Sequence, residues 1–118
     1  MRLVKQPEGS VLCGQCCVAT IAGVTCGRAV MAMGHKGRTR TKDLVLALGA
    51  LGIDSGPGWK MGFPKCPTAI IRFTHPSRGS HWVVWHKKKY YDPIAGVSRK
   101  PVDYLSESRV TSHLEVRL

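Results

Sequence analysis

The most reactive arrangement in this sequence is a cysteine that opens an apolar helix. Cys13 follows a Gly9-Ser10 loop and begins a run of small and apolar residues that extends to about Val24. Backbone N–H groups at a helix N-terminus, and the positive end of the helix dipole, lower the pKa of a thiol and favour the thiolate. Cys13 is therefore a candidate nucleophile, which needs a base, a group that orients the base and an oxyanion donor.

The other members of such a site are found in two later segments and one earlier one. His81 opens an apolar strand, and Asp92 ends the next extended segment after a turn at Lys87-Lys88. In a hairpin the start of the first strand lies beside the end of the second, so this spacing predicts that His81 and Asp92 are paired. Gln6, upstream of the cysteine, is the candidate oxyanion donor.

The first half of the chain reads as helical. We predict a buried helix over 13 to about 24, and a short second helix over 26 to about 33 capped by Thr25. A third helix over 42 to 51 has Thr41 as its expected N-cap.

The second half of the chain reads as extended. After an irregular stretch over 54 to 67, strands are expected at 68 to 74, 81 to 86 and 89 to 92. Residues 109 to 118 alternate between apolar and polar and predict a strand with one solvated face. The fold class is therefore α+β, a single domain over 1–118 with an antiparallel sheet packed on the first helix.

Four segments of the chain together resemble a known family. They are Gln6 and the stretches 13–21, 81–84 and 90–96. The pattern resembles the papain-like cysteine peptidases, and within them the bacteriocin-processing domains that remove double-glycine leader peptides. The resemblance covers nearly the whole chain and implies a papain-like fold, with the nucleophile at the start of the central helix.

The resemblance also implies roles for individual residues. Cys13 would be the nucleophile, His81 the general base and acid, and Asp92 the group that orients His81. Gln6 would form the oxyanion hole with the backbone N–H of Cys13. The sequence departs from the family pattern in two places: Gln6 precedes Cys13 by seven positions, about one more than expected, and Leu12 stands where the family often has aspartate.

The identity of the nucleophile stays open at the level of sequence. Papain-type enzymes also contain a Cys-Gly-x-Cys sequence whose second cysteine is the nucleophile, which makes Cys16 a competitor of Cys13. We favour Cys13 because the apolar helix pattern of the family is in register with it. Gly14 and Trp82 are the candidates for substrate contact.

Composition limits the possible partners and location. The chain has 118 residues, a formal charge of +11 and five cysteines. We expect reduced thiols and a cytoplasmic protein, since there is no signal-length apolar segment and no stretch of membrane-spanning length. A zinc site could start at Cys13 and Cys16, but no second paired motif follows, so we expect no metal and no cofactor.

Two functional hypotheses follow from these patterns. The first is a cysteine peptidase or related thiol hydrolase that cleaves a peptide or amide bond through Cys13, His81 and Asp92. The alternative is a basic module on a papain-like scaffold that binds nucleic acid or an acidic protein without catalysis. Its contacts would come from the basic loop over 35 to 42 and from the lysines at 87 to 89.

Overall fold

A layer of helices precedes an antiparallel sheet in this chain. The computed structural model describes residues 1–100 and 107–118. Its helices are α1 (Cys13–Ala22), α2 (Cys26–Met33) and α3 (Thr41–Ala50). Its strands are β1 (Asp54–Ser55), β2 (Lys60–Met61), β3 (Thr68–His75), β4 (Gly79–His86), β5 (Lys89–Asp92), β6 (Gly96–Ser98) and β7 (Arg109–Arg117). The predicted α+β class, with helices first and antiparallel strands afterwards, is confirmed.

The helix boundaries follow local capping chemistry. Thr25 caps α2 as expected, because its side-chain oxygen accepts a hydrogen bond from the Arg28 N–H at 3.1 Å. The expected cap of α3 is wrong by one residue. The helix begins at Thr41, since the Asp43 carboxylate accepts the Arg40 N–H at 2.8 Å and makes Arg40 the cap.

The C-terminal strand lies inside the sheet. The strand order is β1-β7-β3-β4-β5-β6, and β2 also pairs with β7. The stretch over 54 to 67 was expected to be irregular, yet it contributes β1 and β2, both of which are only two residues long. Two residues are too few to show a periodic pattern in the sequence. Both strands are defined by their pairing with β7.

The strands β4 and β5 form a tight hairpin, with Val84 opposite Tyr91 and His86 opposite Lys89. The two turn residues, Lys87 and Lys88, have φ angles of 47° and 66°. A two-residue turn with both φ angles positive matches the right-handed twist of the flanking strands. The predicted reversal at these lysines is confirmed.

The main core lies between the helices and one face of the sheet. The helix α1 packs on β4, and the cluster includes Val18, Leu44, Trp82 and Leu114. A smaller cluster around Ile71, Phe73 and Val83 covers the opposite face, where Trp85 packs. Trp82 and Trp85, three positions apart on β4, therefore point to opposite faces.

His113 departs from the expected pattern of β7. The alternation of residues predicts a solvated side chain, but His113 is only 6% exposed. Its Nδ1–H donates to the carbonyl of Gly62, in the loop after β2, at 2.7 Å. The short strand β2 thus brings a loop over a position that the sequence alone placed in water.

Over residues 1–100 and 107–118, no individual helix has both the length and the apolar character needed to cross a membrane. Only when α1 and α2 are taken together do length and composition reach those of a membrane-spanning segment, and the two helices meet at a bend of 108°.

Candidate active site

Cys13 is the first residue of α1 and is partly buried. Within the described residues, no side chain caps this helix start, and the position before Cys13 is the apolar Leu12. The N–H groups of the first turn are therefore left to other partners, including the thiol itself. The backbone N–H of Gly14 donates to the Cys13 sulfur.

The β4–β5 hairpin brings His81 and Asp92 together. The register places Val84 opposite Tyr91, so the start of β4 lies near the end of β5. His81 Nε2 lies 2.9 Å from Asp92 Oδ1. The carboxylate can therefore hold the imidazole in one orientation and stabilise its protonated form.

Asp92 is itself held firmly. Its carboxylate is 1% exposed, and Oδ1 also accepts the N–H groups of Ile94 at 2.9 Å and Ala95 at 3.3 Å. The carbonyl of the intervening Pro93 accepts the backbone N–H of Gln6 at 3.0 Å. One short turn thus fixes the carboxylate and also ties the N-terminal segment to the site.

The Cys13 thiol and the His81 ring are hydrogen-bonded to each other. Because Nε2 is committed to Asp92, Nδ1 is the ring nitrogen that remains for the sulfur. Burial of the thiol opposes its ionisation, but hydrogen bonds from His81 and from the Trp82 N–H outweigh burial and lower the pKa of Cys13. Burial also disfavours the imidazolium, yet the Asp92 and Cys13 partners raise the pKa of His81 to about 9. Both shifts favour the thiolate–imidazolium pair over the neutral thiol and imidazole.

Cys16 has a different environment. It is fully buried one turn into α1, and its sulfur lies 3.3 Å from that of Cys26. Burial and the neighbouring Cys26 thiol raise the pKa of Cys16 far above its ordinary value. A protonated, buried thiol is a poor nucleophile, so the geometry favours Cys13 over Cys16.

Gln6 lies at the site but its amide is engaged. Its Nε2 donates to the Ser10 carbonyl at 2.8 Å and lies 3.4 Å from the Ser10 hydroxyl oxygen. Its Oε1 is buried and has no hydrogen-bond partner among the described residues. The first contact is strong and the second long, so one N–H of Gln6 is only weakly held.

A cavity of about 460 Å³ opens beside the thiol. Cys13, His81, Trp82 and Gln6 all line it. Gly14 is not among the lining residues. It is buried against Thr39, and a Cβ atom at this position would lie 2.4 Å from Thr39 Oγ1. Gly14 therefore allows the basic loop to approach the start of α1, and its contact with substrate stays a prediction.

Sequence reasoning missed the role of Gln15. This side chain is fully buried, and its Nε2 donates to the carbonyls of His35 at 3.2 Å and Gly37 at 2.9 Å. Its Oε1 accepts from the Thr39 hydroxyl at 3.2 Å. The available signal was one long polar side chain in an otherwise small and apolar helix, which must find partners when buried.

Metal binding finds no support in the described parts of the chain, where no group of three or more His, Cys, Asp or Glu side chains could hold an ion.

The comparisons with known proteins assign no family to this geometry. Neither the protein-family models nor the curated proteins give a match to this chain. A function must therefore be argued from the arrangement of Cys13, His81 and Asp92.

Proposed function

We propose that this protein is a cysteine peptidase or a related thiol hydrolase on a papain-like scaffold. One observation carries the proposal: the thiol of Cys13, the ring of His81 and the carboxylate of Asp92 form a continuous hydrogen-bonded chain beside an open cavity. Nucleophile, base and orienting group in contact are the requirement for covalent acyl transfer.

The reaction follows from the negative charge of the Cys13 thiolate and the positive charge of the His81 imidazolium. The Cys13 thiolate attacks the substrate carbonyl carbon and forms a C–S bond, and the carbonyl electron pair moves to the oxygen. The tetrahedral intermediate then collapses, the C–N bond breaks and His81 donates its proton to the departing amine. Neutral His81 next takes a proton from water, whose oxygen attacks the thioester. This second tetrahedral intermediate collapses, the C–S bond breaks, and release of the acid returns the thiolate–imidazolium pair.

The developing oxyanion needs donors at the start of α1. The backbone N–H of Cys13 belongs to the first helical turn, which no described side chain caps. Gln6 would supply the second donor by turning its weakly held N–H away from the Ser10 hydroxyl, 3.4 Å distant, while keeping its 2.8 Å bond to the Ser10 carbonyl. Of the four roles, that of Gln6 alone requires a rearrangement.

The order of elements supports the papain-like scaffold. A helix begins with the cysteine, and an antiparallel hairpin packed against it carries the histidine and then the aspartate. Likeness to leader peptidases suggests a peptide or protein substrate with small residues next to the scissile bond. Trp82, which lines the cavity, would pack against the substrate chain.

Hydrolysis of a complex peptide mixture tests the proposal directly. The protein is incubated with peptides derived from a whole proteome, and new termini are identified by mass spectrometry. We expect cleavage that disappears in Cys13→Ala and in His81→Ala, and persists in the matched control Cys66→Ala.

Alkylation of the cysteines provides the second measurement. Iodoacetamide at neutral pH should label Cys13 faster than any other cysteine. In His81→Ala the labelling of Cys13 should be slower by at least about tenfold, because the thiolate loses its imidazolium partner. Slow, uniform labelling of all five cysteines would refute an activated nucleophile.

A further inference from the structure

We propose that the cavity beside Cys13 selects peptides that carry a carboxylate within a few residues of the scissile bond. This inference rests on the proposed hydrolase function and names its substrate class. Four arginines line the cavity: Arg38, Arg40, Arg72 and Arg78. The lining residues that the structure describes include no aspartate or glutamate.

Among residues 1–100 and 107–118, most of the arginines that line the cavity have no carboxylate partner. Arg40 has its Nε 3.9 Å from Asp43 Oδ2, and its side chain is exposed. Glu107 Oε2 lies 3.2 Å from Nε2 of His75, another residue that lines the cavity. Within residues 1–100 and 107–118, Arg38, Arg72 and Arg78 form no ion pair with a carboxylate. Guanidinium groups form paired, charge-assisted hydrogen bonds with carboxylates, so an anionic substrate can supply the missing partners.

One wall of the cavity is held in place by buried polar contacts. Arg38 and Arg40 flank Thr39, whose hydroxyl donates to Gln15 and whose carbonyl accepts the Trp82 indole N–H at 3.2 Å. These bonds attach the basic loop both to α1 and to β4. The loop is thus held in place as part of the site, whereas a stretch of charged residues that lies in solvent would lack these contacts.

The opposite wall comes from β3 and the turn that follows it. Arg72 projects from β3, with its guanidinium carbon 5.9 Å from the centroid of the Trp82 ring. The turn is organised by His75, whose Nδ1 accepts the N–H groups of Ser77 at 3.0 Å and Arg78 at 3.1 Å. Arginines from three separate segments therefore converge on one cavity.

The groove has room for an extended chain. A second cavity, of about 350 Å³, shares Arg40, Arg72 and Trp82 with the first and continues to Lys42 and Trp59. Together they form a basic groove that ends at the thiol. A peptide fits this better than nucleic acid, since the arginines gather around one cavity beside the nucleophile, whereas strand binding uses a basic track with successive stacking platforms.

A pair of small alkylating reagents tests the inference without a known substrate. Iodoacetate carries a carboxylate and iodoacetamide is its neutral analogue, and both react with the same thiolate. The ratio of their rates therefore cancels the ionisation of Cys13. We expect the ratio at Cys13 to exceed that at Cys66 by about tenfold, because a focused positive field concentrates anions, and to fall as salt rises.

Substitutions identify the groups responsible for that ratio. Arg72→Gln and Arg78→Gln should each lower the iodoacetate-to-iodoacetamide ratio at Cys13, whereas Arg28→Gln, on the exposed side of α2, should not. An equal ratio at Cys13 and Cys66 overturns the inference. Fast labelling by iodoacetamide with no preference for iodoacetate would overturn it while leaving the hydrolase proposal intact, and absence of fast labelling by either reagent would refute that proposal.

The peptide mixture then distinguishes the source of the carboxylate. Cleavage sites enriched in Asp or Glu, in peptides with amidated C-termini, indicate side-chain recognition. Cleavage that requires a free C-terminus indicates recognition of the terminal carboxylate. The inference is wrong if the wild type shows neither of these preferences and the groove binds nucleic acid instead. Filter binding at low salt would show this if the wild type retains single-stranded DNA and Arg72→Gln does not.

Discussion

Cys13 and His81 each shift the proton affinity of the other. Burial disfavours both charged forms, yet the hydrogen bond between them and the Asp92 carboxylate outweigh it, lowering the pKa of the thiol and raising that of the ring to about 9. Two groups coupled in this way titrate as a pair. The thiolate–imidazolium pair exists at pH values above the pKa of the thiol and below the pKa of the imidazolium.

Activity should therefore have a bell-shaped pH profile. We expect kcat/KM to rise as Cys13 ionises and to fall near pH 9, where His81 loses the proton that the leaving amine needs. In Asp92→Asn the ring loses the carboxylate that favours its charged form. The alkaline limb should move to lower pH, and kcat/KM at pH 7 should fall by about tenfold or more.

The control for this profile is Asp54→Asn, the same substitution at an exposed carboxylate that pairs with Arg117 on the sheet edge. Its alkaline limb should coincide with that of the wild type. An alkaline limb that stays in place after Asp92→Asn would show that Asp92 does not stabilise the imidazolium.

At the scale of elements, α1 and the basic loop are in close contact at Gly14 and Thr39. Thr39 lies so near Gly14 that a Cβ at Gly14 would meet three of its side-chain atoms at 2.4 to 2.7 Å. Gly14→Ala should destabilise the protein by about 1–3 kcal/mol in urea unfolding, because the Thr39 side chain and its loop must shift.

A double-mutant cycle isolates this contact. All three close atoms belong to the Thr39 side chain, so Thr39→Gly should recover at least about 1 kcal/mol of the loss in the Gly14→Ala background. Gly49→Ala is the matched control, since a Cβ there, in the last turn of α3, meets nothing within 4 Å. It should stabilise the protein by about 0.5–1 kcal/mol. Simple additivity of the Gly14 and Thr39 changes would contradict the contact.

Local elements could be read from the sequence with good accuracy. The predicted bounds of α2 and β5 agree with the structure, because capping by Thr25 and the reversal at Lys87-Lys88 are local signals. The pair of His81 and Asp92 was predictable for the same reason, since one hairpin carries both. Elements formed by distant pairing, such as β1 and β2, leave no such signal.

At the scale of the whole molecule, β7 connects parts that are distant in sequence. It lies between β3 on one side and β1 and β2 on the other, and its Leu114 is buried in the core against the helices. Leu114→Ala should cost about 2–5 kcal/mol by leaving a cavity in that core. Urea unfolding measures the loss, which is large against the about 5–15 kcal/mol that stabilises typical domains.

Leu118→Ala is the comparison for this substitution, because Leu118 is 69% exposed just past the end of the same strand. It should change stability by less than about 0.5 kcal/mol. Equal effects at the two leucines would contradict the interior position of β7.

The convergence of the arginines also belongs to the whole molecule, which is why the sequence concealed it. Arg38 and Arg40 were visible as a basic loop, but Arg72 stands alone in an apolar strand and Arg78 in a polar turn. Only the packing of α1 on the sheet places them around one cavity. The contact between His81 and Asp92 was thus predictable from local spacing, whereas the gathering of four arginines around one cavity depends on three-dimensional assembly.

The interior position of β7 also has a consequence for synthesis on the ribosome. β7 emerges from the exit tunnel after all of its neighbours, so the β3 edge that it covers has unpaired N–H and C=O groups until then. The nascent chain presents an apolar strand edge next to an incomplete core throughout that interval. Chaperone binding, or rapid translation of β7, would protect it from aggregation at this stage.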